Sequence, residues 1–192
     1  MPARAFPNRS NTARCPRCAR LETRTPFVRP RALLSAERPM IWAGQGVLYS
    51  EASDELTAVA EYLGAPVMTT LLGKSGFNER HPLALGTGSH SRTDMVVDAL
   101  ARCDLIFGIG CSLSRSIFAP VIPDGRTILH ATLDRCDLNK DYRADVPVLG
   151  DARLVLTQLL EERHAQHGSE GNPRRAEVEH HLATVRATWK AR

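Results

Sequence analysis

A turn of small, polar and basic residues follows an apolar run in the middle of the chain. It reads Gly108-Ile-Gly110-Cys-Ser112, and Ser114 and Arg115 follow closely. Glycines let a ligand approach the backbone, free N–H groups and hydroxyls donate hydrogen bonds to anions, and a guanidinium pairs with phosphate. The combination predicts a site for a diphosphate or an adenylate. The alternative is a structural turn whose arginine forms a salt bridge within or between subunits.

Two other apolar runs also end in groups that suit a nucleotide. Gly44-Gln45-Gly46 follows the run that begins at Pro39, and Asp134 follows the run that begins at Thr127. A glycine turn allows close contact with a phosphate, and a carboxylate at a strand end accepts hydrogen bonds from ribose hydroxyls. The same glycines are equally consistent with a turn that has only a structural role.

The fingerprint of an NAD-binding turn is incomplete in this sequence. Tyr49 stands where the third glycine would fall, and Thr69 and Thr70 stand where the acidic residue at the end of the second strand is expected. Because both missing residues contact the dinucleotide in that motif, the sequence argues against an NAD site of this type.

No group of residues in the sequence indicates catalysis or metal binding. Cys15-Pro-Arg-Cys18 has the spacing of half a zinc site, but no second cysteine or Cys-His pair follows at the distance of a zinc finger. Gly88-Ser89-His90 lacks the strand-to-helix turn of a serine hydrolase, and no pair of carboxylates stands out as an acid–base couple. We therefore expect no catalytic residue and no metal ligand.

The elements that position these turns alternate between apolar runs and amphipathic helices. Apolar runs without polar interruption are typical of strands buried on both faces of a parallel sheet. The fold class that we predict is α/β, a doubly wound, mostly parallel, Rossmann-like sheet of five to six strands with helices on both faces. The first predicted strand begins at residue 39, and the other predicted strands cover residues 65–70, 104–109, 127–133 and 146–149. The predicted helices cover residues 50–63, 93–102, a segment that Asp151 caps, and 174–189. Residues 71–88 are predicted to form an irregular connection.

Composition and charge exclude several classes of protein. With 43% hydrophobic and 24% charged residues, the 192-residue chain has the composition of one globular domain, and no apolar run approaches the roughly 18 residues of a membrane span. Residues 1–30 hold seven arginines and one acidic residue, a net charge of +6, whereas the remainder carries −2. The predicted folded part is therefore not a basic surface for nucleic acid.

The first 29 residues are predicted to be a disordered basic arm. Four prolines interrupt them and Pro30 follows, so they cannot form the amphipathic helix of an organelle transit peptide. The chain has five cysteines, an odd number, and no apolar signal segment. These features favour a reducing compartment, and we expect the protein to be cytoplasmic.

Six short segments form an ordered pattern over about residues 31–162. They are Arg38–Val47, Leu63–Lys74, His81–Gly86, Cys103–Gly110, His130–Asp134 and Asp145–Ala152. In this order they resemble the central domain of thiamine-diphosphate-dependent enzymes of the acetolactate synthase and 2-keto acid decarboxylase group. We accordingly place the central domain at residues 30–165 and a linker with a charged C-terminal helix at residues 166–192.

The resemblance implies a six-stranded parallel sheet that binds FAD in acetolactate synthase, ADP in oxalyl-CoA decarboxylase and no nucleotide in many decarboxylases. Flavin-binding relatives often carry an Arg-Phe-Asp-Asp type of segment where this chain has Cys111-Ser-Leu-Ser, and this difference weighs against FAD. By position in the family, the cofactor-binding residues would be Gly44, Gln45, Gly46, Thr70, Leu71, Gly88, Ser89, His90, Gly110, Ser112, Arg115 and Asp134.

The resemblance also implies thiamine diphosphate and magnesium for the complete enzyme, which would cleave or form C–C bonds next to a 2-keto group. In the family, the N-terminal domain supplies the activating glutamate and the C-terminal domain supplies the Gly-Asp-Gly…Asn motif that holds the diphosphate through magnesium. The residues before Arg31 are too few for the N-terminal domain, and the residues after the central domain are too few for the C-terminal domain. We expect a fragment or split subunit that binds no thiamine diphosphate alone and associates with the missing domains.

A second hypothesis is a stand-alone adenine-nucleotide-binding module with a regulatory or scaffold role. The fragment hypothesis predicts self-association or a partner, because a central domain separated from its neighbours exposes apolar side chains, whereas a well-behaved monomer would favour the stand-alone module. The side chains expected at such a surface are Leu71, Leu72, Phe77, Ile117 and Phe118. We expect a homo-oligomer and no nucleic-acid or membrane partner.

Overall fold

A computed structural model describes residue 33 and residues 35–89, 92–167 and 172–191. Within these ranges it contains six strands and five helices. The strands are β1 (Pro39–Ala43), β2 (Val67–Thr69), β3 (Ala84–Thr87), β4 (Leu105–Ile109), β5 (Thr127–Thr132) and β6 (Val146–Leu149). The helices are α1 (Gln45–Tyr49), α2 (Ser53–Leu63), α3 (Asp94–Arg102), α4 (Ala152–His167) and α5 (Arg175–Lys190).

The six strands form one parallel sheet in the order β3-β2-β1-β4-β5-β6. The connection from β1 to β2 and the connection from β3 to β4 run in opposite directions along the sheet. Because such crossovers are right-handed, they place α2 and α3 on opposite faces. The predicted α/β, doubly wound fold is confirmed.

Strands β1 and β4 form the centre of the sheet because every one of their residues is buried. They pair in register from Pro39 with Leu105 to Ala43 with Ile109. The carboxylate of Asp104 joins their starts, since it accepts hydrogen bonds from the N–H groups of Glu37 (2.7 Å) and Arg38 (2.9 Å). The uninterrupted apolar sequence of both strands suits a position between two layers of helix.

The prediction of an irregular connection over residues 71–88 is wrong at its end, where β3 forms the edge of the sheet. This strand has only four residues, and Gly86 and Thr87 are half-buried. Gly86 also has a φ of +90°, and the pairing of β2 with β3 shifts register between Val67 and Met68. A short, irregular edge strand of this kind has no long apolar run by which the sequence could reveal it.

The helix predicted over residues 50–63 begins three residues later in the structure, at Ser53, and the short helix α1 before it was not predicted. Glu51 adopts a φ of +52°, which is not helical, and it separates α1 from α2. Helix α2 ends as predicted at Gly64, which adopts the left-handed conformation at φ +59°. Asp151 caps α4 as predicted, because its Oδ1 accepts hydrogen bonds from the N–H groups of Arg153 (2.9 Å) and Leu154 (3.2 Å).

Helix α5 packs against α2 and α3, on the side of the domain where β1 begins. Asn172 precedes the helix, and its N–H and side-chain amide donate to the carbonyls of Tyr62 (2.8 Å) and Leu63 (3.0 Å) at the end of α2. Further along, His181 Nε2 lies 2.8 Å from Asp98 Oδ2 on α3. The division at residue 165 remains a prediction, but the residues that follow it make contacts with the sheet domain.

Arg186 on α5 also protects the edge of the sheet. Its guanidinium donates to the carbonyl of Ala84 in β3 at 2.8 Å and to that of Pro82 at 3.3 Å. Edge carbonyls without such a partner are free to pair with another chain. No helix among the described residues is long and apolar enough to cross a membrane.

We predict that Leu182→Ala lowers the free energy of unfolding by about 2–4 kcal/mol, the range for leucine truncation in a core. Leu182 lies on α5 and is only 2% exposed. Leu154→Ala on α4 is the matched control, because Leu154 is 61% exposed; its effect should stay below about 0.5 kcal/mol. Urea unfolding followed by circular dichroism measures both, and equal losses would contradict the docking of α5 on the domain.

Candidate functional site

The turns that follow β1 and β4 contact each other at the carboxyl edge of the sheet. The N–H of Gly46 donates to the carbonyl oxygen of Gly110 at 2.8 Å. A Cβ added to Gly44 would lie 2.3 Å from the same oxygen, and Gly110 itself has a φ of +60°. Both turns therefore need glycine, because a side chain would separate them. They lie where the strand order reverses, which is the usual ligand site of an open α/β sheet.

The loop after Gly110 is held down by buried hydrogen bonds. The carbonyl of Cys111 lies 2.8 Å from Nε2 of His130, and the Cys111 thiol donates to the carbonyl of Trp42 at 3.5 Å. Burial raises the pKa of the Cys111 thiol to about 12. Burial also lowers the pKa of His130. Both groups are therefore neutral near pH 7, and they anchor the loop without offering a nucleophile or a charge.

A cleft with a volume of about 770 Å³ opens above these turns. It lies within the size range of small-molecule sites. Most of the predicted cofactor-binding residues surround it, although they come from five separate connections of the chain. Those that line the cleft are Gln45, Gly46, Thr70, Leu71, Gly88, Gly110, Ser112 and Asp134.

Three predicted residues are placed differently, and the structure does not describe a fourth. Gly44 lies behind the cleft wall, against the backbone of Gly110, and Ser89 is not among the lining residues. The guanidinium of Arg115 lies over the ring of Tyr142, 4.8 Å from its centroid, and is also absent from the lining. His90 lies outside the described residues.

The sequence alone did not point to several residues of the cleft. Asp137 and Asp151 add two carboxylates to that of Asp134. Asp137 lies three positions beyond the recognised strand-end aspartate, and Asp151 was assigned only a capping role. Apolar residues that the site prediction did not include also line the cleft, among them Trp42, Tyr49, Leu72, Phe118 and Leu133.

The N–H groups of three glycines at the ends of these strands are paired within the domain. The Gly44 and Gly110 N–H groups donate to the carbonyls of Ile109 and Ala131, each at 2.9 Å, and the Gly88 N–H donates to the carbonyl of Thr69 at 2.8 Å. In the turn that was predicted to offer free N–H groups, the Gly110 donor is therefore used to pair the strand ends.

Negative charge collects on one side of the cleft. Burial and the neighbouring charge of Asp134 raise the pKa of Asp137. Lys140 Nζ lies 3.8 Å from Asp137 Oδ1 and only partly offsets this charge. Among the residues that the structure describes, no group of three or more His, Cys, Asp or Glu side chains is arranged to hold a metal ion. The described lining offers hydrogen-bond acceptors and apolar surface.

Fold and site together define a doubly wound, Rossmann-like α/β domain with a cleft at the switch point of the sheet. The family model of the thiamine pyrophosphate enzyme central domain matches residues 31–159. The chain belongs to this family, which confirms the resemblance found in the sequence.

Several curated proteins are similar to this chain. A probable acetolactate synthase large subunit of Methanocaldococcus jannaschii is 41% identical over 68% of this chain and 22% of its own length. The acetolactate synthase large subunit of Corynebacterium glutamicum is 40% identical over 66% of this chain and 20% of its own. The matched region thus spans about a fifth of these relatives.

A solved structure supports the same relationship. It belongs to a Mycobacterium smegmatis protein assigned to the thiamin diphosphate-dependent enzymes, and it is 28% identical to this chain with a TM-score of 0.58. The alignment covers 68% of this chain and 25% of the other. The sheet of this domain is therefore similar to part of a larger enzyme.

We predict that Gly44→Ala destabilises the domain by about 1–3 kcal/mol, the range for overpacking. The new methyl group would meet the Gly110 oxygen and Cys111, which are backbone and anchored side-chain atoms that cannot move aside. Gly88→Ala is the matched comparison, because its methyl group meets mainly the flexible thioether of Met68. Thermal unfolding should show the larger loss for Gly44→Ala, and the reverse order would contradict this account of the two turns.

Proposed function

We propose that this domain serves as the non-catalytic central domain of a thiamine-diphosphate-dependent enzyme of the acetolactate synthase type. The complete enzyme would cleave or form C–C bonds next to a 2-keto group. The main support for the proposal is the family match over residues 31–159. The relatives named acetolactate synthase support it as well. A stand-alone nucleotide-binding module has no comparable support.

The partners in this proposal are the domains that bind thiamine diphosphate and magnesium. The described residues offer no group of three or more His, Cys, Asp or Glu side chains to hold magnesium. Burial keeps both Cys111 and His130 neutral near pH 7, so these two groups anchor the loop. The relatives support the proposal that outer domains belong to the complete enzyme, because the matched region is only about a fifth of their length.

We also propose that the cleft holds an organic ligand with a structural role, of the adenine-nucleotide or flavin type. Its position at the switch point of the sheet and its volume of about 770 Å³ support this role. The residues that would contact the ligand are Gln45, Gly46, Thr70, Leu71, Gly88, Gly110, Ser112 and Asp134. Arg115 would act indirectly, by fixing the loop against Tyr142.

A cytoplasmic location is a further part of the proposal. The odd number of cysteines supports a reducing compartment. Cys103 and Cys111 are buried free thiols, which is consistent with such a compartment.

We predict that a chimera with residues 31–162 in place of the matching segment of the Corynebacterium glutamicum acetolactate synthase large subunit forms acetolactate from pyruvate. The transferred segment provides the sheet domain and its cleft, while the outer domains of the recipient supply the catalytic groups. Product formation with thiamine diphosphate, magnesium and FAD is the measurement. The unaltered recipient is the positive control, and a version with the segment deleted is the negative control.

A chimera that folds and assembles like the recipient but forms no acetolactate would contradict the proposed role. The isolated 192-residue chain, assayed beside it, should show no turnover above a heat-killed sample. Turnover by the isolated chain would also contradict the proposal, because it would require catalytic groups that the described domain lacks.

We propose that the domain associates through apolar side chains at its carboxyl edge. Leu71, Leu72, Ile117 and Phe118 are 59–80% exposed, as expected for a docking surface. Phe77 was predicted to belong to this surface, which is wrong: it is buried and packs edge-on against His81 at 5.0 Å.

We predict that the chain sediments as a dimer or larger species, above its monomer mass of 21.1 kDa, at tens of micromolar. The double variant Ile117→Ser, Phe118→Ser should shift the distribution toward monomer, because it removes two exposed apolar side chains. Val97→Ser is the control, since Val97 is 49% exposed on α3 and is not part of the proposed surface. A wild-type monomer, or an equal shift in the control, would count against association through this surface.

A further inference from the structure

We propose that α5 acts as a strap that holds β3 in the sheet, so that docking of this helix where the strands begin fixes the cleft wall where they end. Strand β3 connects the two places. Three observations support the proposal: the weakness of β3 by itself, the contacts that α5 makes with its start, and the position of its end in the cleft lining. The device requires no ligand in the cleft.

Strand β3 has little support within the sheet. It has four residues and, as the outermost strand, it pairs only with β2. The pairing shifts register between Val67 and Met68, and Gly86 interrupts the strand at a φ of +90°. A glycine adds no side chain to the packing, and a single neighbouring strand provides hydrogen bonds on one side only. The strand therefore depends on contacts from outside the sheet.

Arg186 of α5 holds the start of β3. Its guanidinium donates to the carbonyl oxygens of Pro82 at 3.3 Å and of Ala84 at 2.8 Å. A hydrogen bond from a charged donor is stronger than one between neutral groups. Because both acceptors are main-chain atoms, these bonds constrain the path of the strand directly.

A second route from α5 to β3 runs through the carboxylate of Glu61 on α2. Its Oε1 accepts a hydrogen bond from Arg175 of α5 at 2.8 Å and lies 3.2 Å from Nε2 of His81. The hydrogen bond with His81 and the positive charge of Arg175 lower the pKa of Glu61, so the carboxylate is charged at neutral pH. Nδ1 of His81 accepts from the N–H of Leu83 at 3.2 Å, immediately before β3. The helix is therefore linked to the start of the strand at two points.

Helix α3 supports the middle of β3 and is itself covered by α5. Thr93, which caps α3, donates its hydroxyl to the carbonyl of Leu85 at 2.8 Å. On the same helix, Asp98 Oδ2 lies 2.8 Å from Nε2 of His181 on α5. Loss of α5 docking would weaken this support indirectly, and it would remove the contacts of Arg186 and Arg175 directly.

The end of β3 forms part of the cleft wall. Gly88 follows the strand, lines the cleft and donates its N–H to the carbonyl of Thr69 at 2.8 Å. Thr70 and Leu71, which follow Thr69, line the cleft as well. Three residues separate Ala84 from Gly88, and a strand rises only about 3.3 Å per residue. A change at the start of so short a strand therefore reaches the hydrogen bond of Gly88.

Helix α5 is held less firmly than the sheet. Leu182 is its one buried residue, although the structure describes the helix along its whole length, and Val178 and Val185 are only partly buried. A recess of about 80 Å³ remains between the helix and the domain, with Met40, Leu63 and Leu182 in its lining. Elements with few buried apolar side chains open at a lower free energy than the core. The helix can therefore undock while the sheet stays folded.

The test is amide hydrogen exchange of the full 192-residue chain, resolved for single amides by NMR. The reporter is the N–H of Gly88. The reference is the N–H of Gly150, which follows the opposite outer strand, β6, and donates to the carbonyl of Thr132 at 3.0 Å. In Arg186→Met, we expect the Gly88 amide to exchange at least about tenfold faster, because charged hydrogen bonds at the start of β3 are lost. The Gly150 amide should keep its wild-type rate.

Arg153→Met is the matched control for the loss of a guanidinium. The Nε of Arg153 donates to Glu55 Oε1 at 2.8 Å, a contact between α4 and α2 that does not involve β3. This variant should leave the exchange of Gly88 unchanged. Leu182→Ala is a second test, because it weakens the docking of α5 and removes no hydrogen bond. In this variant the exchange of Gly88 should accelerate more than that of Gly150.

Three results would overturn the proposal. The first is a Gly88 amide that exchanges at the same rate in Arg186→Met and in the wild type. The second is an equal acceleration of Gly88 and Gly150, because it would show only a global loss of stability. The third is a Gly88 amide that is unprotected already in the wild type, since α5 would then not fix the end of β3.

Discussion

The contact between two glycine turns at the centre of the sheet organises the rest of this domain. The N–H of Gly46 reaches the carbonyl of Gly110, and Gly44 lies so near the same oxygen that a Cβ would overlap it. The central strands, β1 and β4, can end side by side only because these positions lack side chains. The start of α1 and the loop beyond Gly110, which Cys111 and His130 anchor, both depend on this contact.

The same contact limits what the site can bind. A doubly wound sheet usually receives phosphate groups on free N–H groups at its switch point. Here the N–H groups of Gly44, Gly46 and Gly110 donate to carbonyls within the domain. Three carboxylates and a set of exposed apolar side chains line the cleft beside them. Stabilising the strand ends and binding an anion are competing uses of the same atoms.

The two edges of the sheet have different roles. Where the strands begin, Asp104 joins β1 to β4, Asp145 accepts from Ile128 at 2.8 Å, and α5 covers the nearby helices. Where the strands end, the apolar side chains of the connections are exposed. The covered edge, where the strands begin, supports a stable fold. The exposed edge, where the strands end, suits a ligand and a neighbouring domain. This division agrees with a central domain that serves a larger enzyme.

The amino-acid sequence by itself determined the fold class, the central strands and the family, because long apolar runs and ordered segments are local patterns that need no knowledge of contacts. Only the tertiary structure decided the edge strand β3, the burial of Phe77 and the orientation of Arg115. It also decided that the glycine N–H groups are paired and that Asp137 and Asp151 join Asp134. Each of these depends on partners distant in the chain, and neither spacing nor residue type specifies which partner a backbone or side-chain group meets.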